Sequence, residues 1–204
     1  MFSALVTGQD RMNEWIKQYS TSEAEEIIRL FVGSNTWRRF KRSDGNGPSV
    51  AIRSWARTEI KPIRRLLESM DLGSQRAFDL WNDSFCRNFA SYWERTMHYE
   101  IDYAPQRKIP NLLLKRILLL DEVKPETRLK LEQFLHVPLD RFVLGKIRIC
   151  APHLAIPSGA SMGYASSETK YNEIQEWIRG VCKMNNTFPI HLDIYSWDLQ
   201  HEHR

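Results

Sequence analysis

The sequence is short of cysteine. It contains three in 204 residues, Cys86, Cys150 and Cys182, and no two of them form a C-x-x-C pair. An odd number of widely spaced cysteines excludes a disulfide framework and a zinc knuckle, and it is typical of a reducing compartment. We therefore expect a cytoplasmic protein without a structural metal.

Long hydrophobic runs are also absent. The longest apolar stretch, Ile109 to Leu120, is interrupted by Lys115 and Arg116, so it cannot span a bilayer. The first residues lack a basic region followed by an apolar run, which predicts no export signal. No internal repeat is visible. Runs of alternating polar and apolar residues, which would indicate strands, are scarce.

Helical periodicity is what the sequence does contain. Six apolar residues recur at steps of three and four and predict one amphipathic helix whose apolar face is mostly core: Phe78, Trp81, Phe85, Phe89, Trp93 and Met97. Further helices are predicted from about Val50 to Met70, where Pro62 should bend or split the helix, and after Pro105, Pro125 and Pro138. A last one should run from about Glu168 to Met184. The stretch from Cys150 to Ser167 is poorly patterned and predicts a long surface loop.

The fold class is therefore predicted to be all-α, a compact helical bundle in a single domain over residues 1–204. Residues 1–100 should supply N-terminal helices that carry a basic stretch. Residues 101–204 should supply the helices that hold the chemistry.

Positive charge is concentrated in one stretch. The chain has 29 basic and 25 acidic residues, a formal charge of +4. Between Trp37 and Arg65 there are nine basic residues and only two acidic ones, Asp44 and Glu59. The basic residues are Arg38, Arg39, Lys41, Arg42, Arg53, Arg57, Lys61, Arg64 and Arg65. A polyanion such as DNA would be attracted to this charge, although an ordinary solvated surface is the alternative. Arg38, Arg39, Lys41 and Arg42, together with Arg107, are the candidate DNA-binding residues.

Lys108 and Asp140 are the candidate catalytic residues. Lys108 begins an apolar helical run, and Asp140 follows the apolar segment 134–139 and begins the next helix. Burial and a helix start lower the pKa of a lysine, which makes a neutral, nucleophilic amine accessible. An ionised carboxylate can stabilise positive charge that develops on a sugar. Two alternatives stay open: Lys115 could be the nucleophile instead, and Asp140 could be only a helix N-cap.

Three short motifs between Gln106 and Trp197 resemble those of the helix-hairpin-helix DNA glycosylase superfamily. They are the helix Gln106-Arg-Lys-Ile-Pro-Asn-Leu-Leu-Leu-Lys115, the segment Val137-Pro-Leu-Asp140, and Asp193 followed four residues later by Trp197. The likeness is greatest to the archaeal 8-oxoguanine branch and to bacterial anti-phage relatives. The glycine-rich hairpin, L-P-G-V-G in common members, is missing, as is a four-cysteine iron–sulfur motif, so the hairpin here would be degenerate.

The resemblance implies a DNA glycosylase that flips a modified base out of duplex DNA and cleaves its N-glycosidic bond. It implies Lys108 as nucleophile, Asp140 as the carboxylate beside the sugar, and Asp193 and Trp197 in the base pocket. Trp37, Trp93 and His191 are further pocket candidates. The expected partner is double-stranded DNA with a modified base, the protein is expected to be a monomer, and neither a metal nor another cofactor is expected. The base stays open between 8-oxoguanine, in oxidative repair, and glucosylated hydroxymethylcytosine, in defence against phage.

Other readings of the sequence compete with this one. Gly159-Ala-Ser-Met-Gly163 fits the G-x-S-x-G pattern of serine hydrolases, although such an elbow needs a strand before it. His201-Glu-His203 could bind a metal but is interpreted as a solvated tail. A non-enzymatic helical DNA-binding or protein-interaction module is the main alternative, since it needs the basic stretch but neither Lys108 nor Asp140.

Overall fold

The computed structural model describes residues 8–32, 40, 47–69 and 74–201. The helices are α1 (Gly8–Tyr19), α2 (Ala24–Leu30), α3 (Pro48–Ser69), α4 (Gln75–Met97), α5 (Tyr103–Ile117), α6 (Pro125–Phe134), α7 (Arg141–Cys150), α8 (Glu168–Met184) and α9 (Pro189–His201). Two 3₁₀ turns, Pro152–Leu154 and Met162–Tyr164, lie between α7 and α8. No strand forms in this described part, so the all-α prediction is confirmed for it. Nor does any helix in it combine the length and hydropathy that crossing a bilayer demands.

The predicted amphipathic helix is α4, and its apolar face is core as expected. Ser74 caps its start by accepting a hydrogen bond from the Ala77 N–H at 3.2 Å. His98 ends it in the left-handed conformation, with a φ of 59°. Five of the six predicted apolar positions are buried, and Trp81 is half-buried.

Prolines mark helix ends less sharply than the sequence predicted. The prediction that Pro62 could split its helix is wrong, because α3 runs through it without a break. Pro62 is exposed, so water can reach the Thr58 carbonyl that loses its helical partner. Pro105 was expected to precede the helix of Lys108, but it lies in the first turn of α5, where no N–H is needed. Lys108 consequently sits in the second turn and not at the helix start.

The core consists of two clusters of buried side chains that meet at α9. The larger cluster joins residues of α1 to α6, and the smaller one joins α7, α8 and the two 3₁₀ turns. Ile190 and Ile194 of α9 pack in the larger cluster, whereas Leu192 packs in the smaller one. The helices α5, α7 and α9 therefore come together near the boundary between the clusters, and each carries a residue of the candidate site.

The stretch from Cys150 to Ser167 is packed and not simply a surface loop. Cys150 ends α7, and Leu154, Ile156 and Met162 are each at most 8% exposed. The G-x-S-x-G motif lies here, with Gly159 in a turn at a φ of 76° and no strand before Ser161 in the described chain. The hydrolase elbow is therefore excluded, because the strand-to-helix turn that exposes its serine is not formed.

Candidate active site

Lys108 lies on α5, and its side chain is half-buried. The negative charges of the Asp140 and Asp193 carboxylates act on its amine. Burial lowers the pKa of its amine below the ordinary 10.5, while the negative charges of Asp140 and Asp193 act in the opposite direction. The helix dipole invoked from the sequence contributes little, since Lys108 is not in the first turn. The fold thus brings the amine of Lys108 on α5 near the carboxylates of Asp140, at the start of α7, and Asp193, on α9. The three charged groups interact electrostatically.

Asp140 is the N-cap of α7, and it is 6% exposed. Its Oδ1 accepts hydrogen bonds from the N–H groups of Phe142 at 2.9 Å and Val143 at 3.1 Å. The capping alternative considered from the sequence is therefore correct, and it does not conflict with a role toward Lys108. Both bonds go to Oδ1, so Oδ2 takes no part in the cap, and the cap fixes where the carboxylate sits.

Asp193 is almost completely buried, with 1% of its surface exposed, and its Oδ2 forms an ion pair with the Nζ of Lys115. Its Oδ1 is buried with no hydrogen-bond partner. Burial raises the pKa of Asp193, Lys115 and Lys108 oppose that rise, and the charge of Asp140 adds to it. Two lysines and two aspartates therefore form a cluster whose formal charges cancel.

Lys115 differs from Lys108 in what surrounds it. It is 7% exposed, it is paired with Asp193, and its ammonium lies 5.2 Å from the centre of the Trp15 ring. The Arg116 guanidinium lies 5.5 Å from the same ring. Lys115 is thus held between a carboxylate and an aromatic face and is nearly inaccessible to solvent, whereas Lys108 is only half-buried, which favours Lys108 over Lys115 as the nucleophile.

Sequence reasoning missed both the Lys115–Asp193 pair and Trp15. The seven-residue spacing of Lys108 and Lys115 is two helical turns and places them on one face of α5, which was an available signal. Trp15 belongs to α1, far away in the chain, and no local pattern connects it to α5.

Three predicted site residues point into the protein instead of toward a ligand. Trp93 is fully buried in the larger cluster, 4.7 Å from Phe40 between ring centres. His191 is 2% exposed, with Nδ1 3.0 Å from the Thr187 hydroxyl and Nε2 3.3 Å from a Glu132 carboxylate oxygen. Neither ring is placed to contact an everted base, because protein groups already surround it.

Arg107, the third, was expected to hold phosphates, but it is 4% exposed. Its guanidinium forms an ion pair with Asp83 at 2.6 Å and lies 4.8 Å from the ring centre of Tyr171. One residue turns a helix by about 100°, so the neighbour of a half-buried lysine can face the interior. Arg107 braces α5 against α4 and α8.

Trp37, Arg38, Arg39, Lys41 and Arg42 lie outside the described residues. So does the side chain of Trp197, although its backbone belongs to α9.

The described part of the basic stretch is partly neutralised. Arg57 pairs with Glu25 at 2.8 Å, and Arg64 pairs with Glu122. Lys61 and Arg65 on α3 are exposed. The nine basic and two acidic residues of the stretch have a net charge of +7, which therefore overstates the charge that this surface offers to a polyanion.

A shallow groove of about 410 Å³ lies between α2 and α3. Its lining residues are Glu25, Glu26, Ile28, Arg29, Arg53 and Arg57. It contains none of the lysines or aspartates of the cluster, so the groove and the candidate site are separate features. The described residues also bring no three metal-ligating side chains together.

Comparisons of the chain with protein-family models, with curated proteins and with solved structures find no match. The case for a function therefore depends on the chemistry of the cluster of Lys108, Lys115, Asp140 and Asp193.

Proposed function

We propose that this protein is a DNA glycosylase that uses Lys108 as its nucleophile and Asp140 as the carboxylate beside the sugar. The observation that supports the proposal most directly is the half-buried amine of Lys108, whose pKa is lowered by burial, in the field of Asp140 and Asp193. A neutral amine next to an anchored carboxylate is the combination that displacement at a deoxyribose C1′ requires. The three sequence motifs also occur in the order and at the spacing that the resemblance to DNA glycosylases implies.

In the proposed reaction the target nucleotide first leaves the base stack, since the duplex hides its glycosidic bond. The lone pair of the Lys108 amine forms a bond to C1′, and the C1′–N bond to the base breaks. The electrons of that bond leave with the base, which takes up a proton. Loss of a further proton and ring opening give an imine between Lys108 and the sugar.

Asp140 contributes negative charge at a fixed position. Positive charge develops on the sugar as the base leaves, and a preorganised carboxylate stabilises that charge without having to move. The bonds from Phe142 and Val143 hold Asp140 in place before the reaction begins. Asp140 also provides an acceptor for the proton that Lys108 must lose.

The base is proposed to be a modified one, because a damaged base costs less to unstack. The candidates remain 8-oxoguanine and glucosylated hydroxymethylcytosine. A role in repair or in phage defence follows from whichever base is released.

Borohydride trapping tests the reaction and the nucleophile together. The protein is incubated with duplexes that each carry one modified base, including the two candidates, and borohydride then reduces any imine to a stable amine. We expect a covalent protein–DNA adduct with at least one duplex and none with an unmodified duplex. Lys108→Gln should abolish the adduct because it removes the attacking nitrogen.

Two further lysine variants are compared with Lys108→Gln, one as a test and one as the control. Lys115→Gln tests the other lysine of the cluster, and Lys130→Gln removes an exposed lysine of α6 and should leave trapping unchanged. An adduct that survives Lys108→Gln but disappears in Lys115→Gln would reassign the nucleophile. Base release without trapping would make water the attacker, and DNA binding without any base release would favour the non-enzymatic DNA-binding module.

A further inference from the structure

The segment that leads into Asp140 has no regular structure of its own. Residues 135–139 lie between α6 and α7 outside any helix, and all five are buried. The backbone N–H and C=O groups of such a buried segment need hydrogen-bond partners other than those of a helix or sheet. How this segment is held therefore decides where Asp140 lies.

Gln175 of α8 supplies both missing partners for one residue of the segment. Its Oε1 accepts a hydrogen bond from the Val137 N–H at 3.0 Å, and its Nε2 donates one to the Val137 carbonyl at 2.8 Å. Gln175 is 1% exposed, so water does not compete for these bonds. The amide clamps the backbone three residues before Asp140.

The neighbouring residue is held by its side chain. Nδ1 of His136 lies 3.0 Å from the Tyr171 hydroxyl, and Nε2 lies 2.7 Å from Oδ1 of Asp79. Tyr171 is one turn before Gln175 on α8. Two successive turns of this helix therefore form hydrogen bonds with two successive residues of the segment, His136 and Val137. Asp79 on α4 holds it from the other side.

The same helix also contacts the one that carries the lysines. The Tyr171 hydroxyl accepts a hydrogen bond from the Asn111 amide at 3.4 Å, and Asn111 lies on α5 between Lys108 and Lys115. A second bond joins Asn111 to Asn82 of α4 at 3.0 Å. Since α8 binds both the Asp140 segment and α5, it sets the distance between the carboxylate and the amine.

We infer that Gln175 is a positioning residue that fixes the Asp140 carboxylate opposite Lys108 through the backbone of Val137. This inference rests on the proposed function only because that function assigns a reaction to the Asp140 carboxylate and the Lys108 amine. Gln175 touches neither of them, and nothing in the sequence motifs pointed to it.

Gln175→Met tests the inference because methionine has a similar shape but makes neither hydrogen bond. The first readout is the pKa of Lys108, measured by NMR of ¹³C-dimethylated lysines, with Lys108→Gln identifying the signal. Displacing Asp140 removes a negative charge from the amine, so the pKa of Lys108 should fall, as it should in Asp140→Asn. Ile60→Val, a mild core change in α3, is the control and should leave that pKa unchanged.

The second readout is base release under single-turnover conditions. A misplacement of about 1 Å at a reacting centre costs roughly 100-fold in rate, so we expect a loss of that order with the Kd for DNA unchanged. A Lys108 pKa in Gln175→Met equal to that of the wild type would overturn the inference even if the glycosylase is active. A shifted Lys108 pKa in Gln175→Met, together with a wild-type protein that releases no base from any duplex, would uphold the positioning role and refute the proposed function.

A third measurement covers the case in which Gln175→Met does not fold. The Val137 amide of the wild-type protein should exchange slowly with solvent deuterium, since Gln175 is its acceptor. Rapid exchange at Val137 within a folded protein would refute the clamp.

Discussion

Replacing Lys115 by methionine should destabilise the protein by about 3–5 kcal/mol, because Asp193 would keep a buried charge without its partner. The side chains of the pair are 8% and 1% exposed, so water cannot replace the lost ammonium. Lys108 and Arg116 also act on Asp193, and the negative charge of Asp140 opposes their effect. For a chain of this size the loss corresponds to a fall in Tm of roughly 6–20 °C.

The stability that Lys115→Met loses should be larger at high pH than at low pH. Burial raises the folded-state pKa of Asp193 above its unfolded value of 3.8. The penalty on the ionised form is therefore complete above the folded pKa, declines as the pH falls below that pKa, and disappears below the unfolded value. Removing Lys115 raises that pKa further, so the cost of Lys115→Met should be smaller at pH 5 than at pH 8.

Urea denaturation of four proteins measures the effect: the wild type, Lys115→Met, Asp193→Asn and the double variant. We expect the double variant to recover most of the stability that Lys115→Met loses, because no unpaired charge then remains. Lys130→Met on the surface should change stability by no more than about 0.5 kcal/mol. A cost below about 1 kcal/mol for Lys115→Met, or additive effects in the double variant, would refute the view of Lys115 and Asp193 as a buried coupled pair.

Two further predictions concern the proposed reaction. Single-turnover base release should rise with pH and level off above a pKa below the 10.5 of an ordinary lysine, because only the neutral Lys108 amine attacks; a midpoint at or above 10.5, or a flat profile, would remove Lys108 from the mechanism. Asp140→Ser should keep the cap of α7 and nearly all stability but lose base release, whereas Asp140→Ala should also lose about 1 kcal/mol in urea denaturation. Activity retained in Asp140→Ser would mean that the carboxylate is not needed.

Local patterns predicted α3 to α8 because each of these helices leaves a signature within a few residues, whereas no helix was predicted for α1 or α9. The stripe of α4 and the Pro138–Asp140 start of α7 could both be read from spacing alone. Pro62 and Pro105 were misjudged because the effect of a proline depends on its helical position and exposure. Neither property is a local feature of the sequence.

The site could be predicted only where its chemistry lies in short motifs. Lys108 and Asp140 became candidates because each begins or follows an apolar run, and the structure shows only that the charge of Asp140 acts on the Lys108 amine. The Lys115–Asp193 pair and the Gln175 clamp depend on contacts between helices that are distant in the chain, which no spacing rule reveals. Arg107 and Trp93 show the opposite error, since residue types that suit DNA contacts also serve as interior braces and core rings.

The last described helix, α9, has a consequence for folding. Ile190 and Ile194 belong to one cluster of buried side chains and Leu192 to the other, so loosening either cluster exposes one side of this helix to water. That exposure is unfavourable, and it ties the melting of each half to the melting of the other. Asp193 lies at this joint, so loosening either cluster also disturbs its ion pair with Lys115.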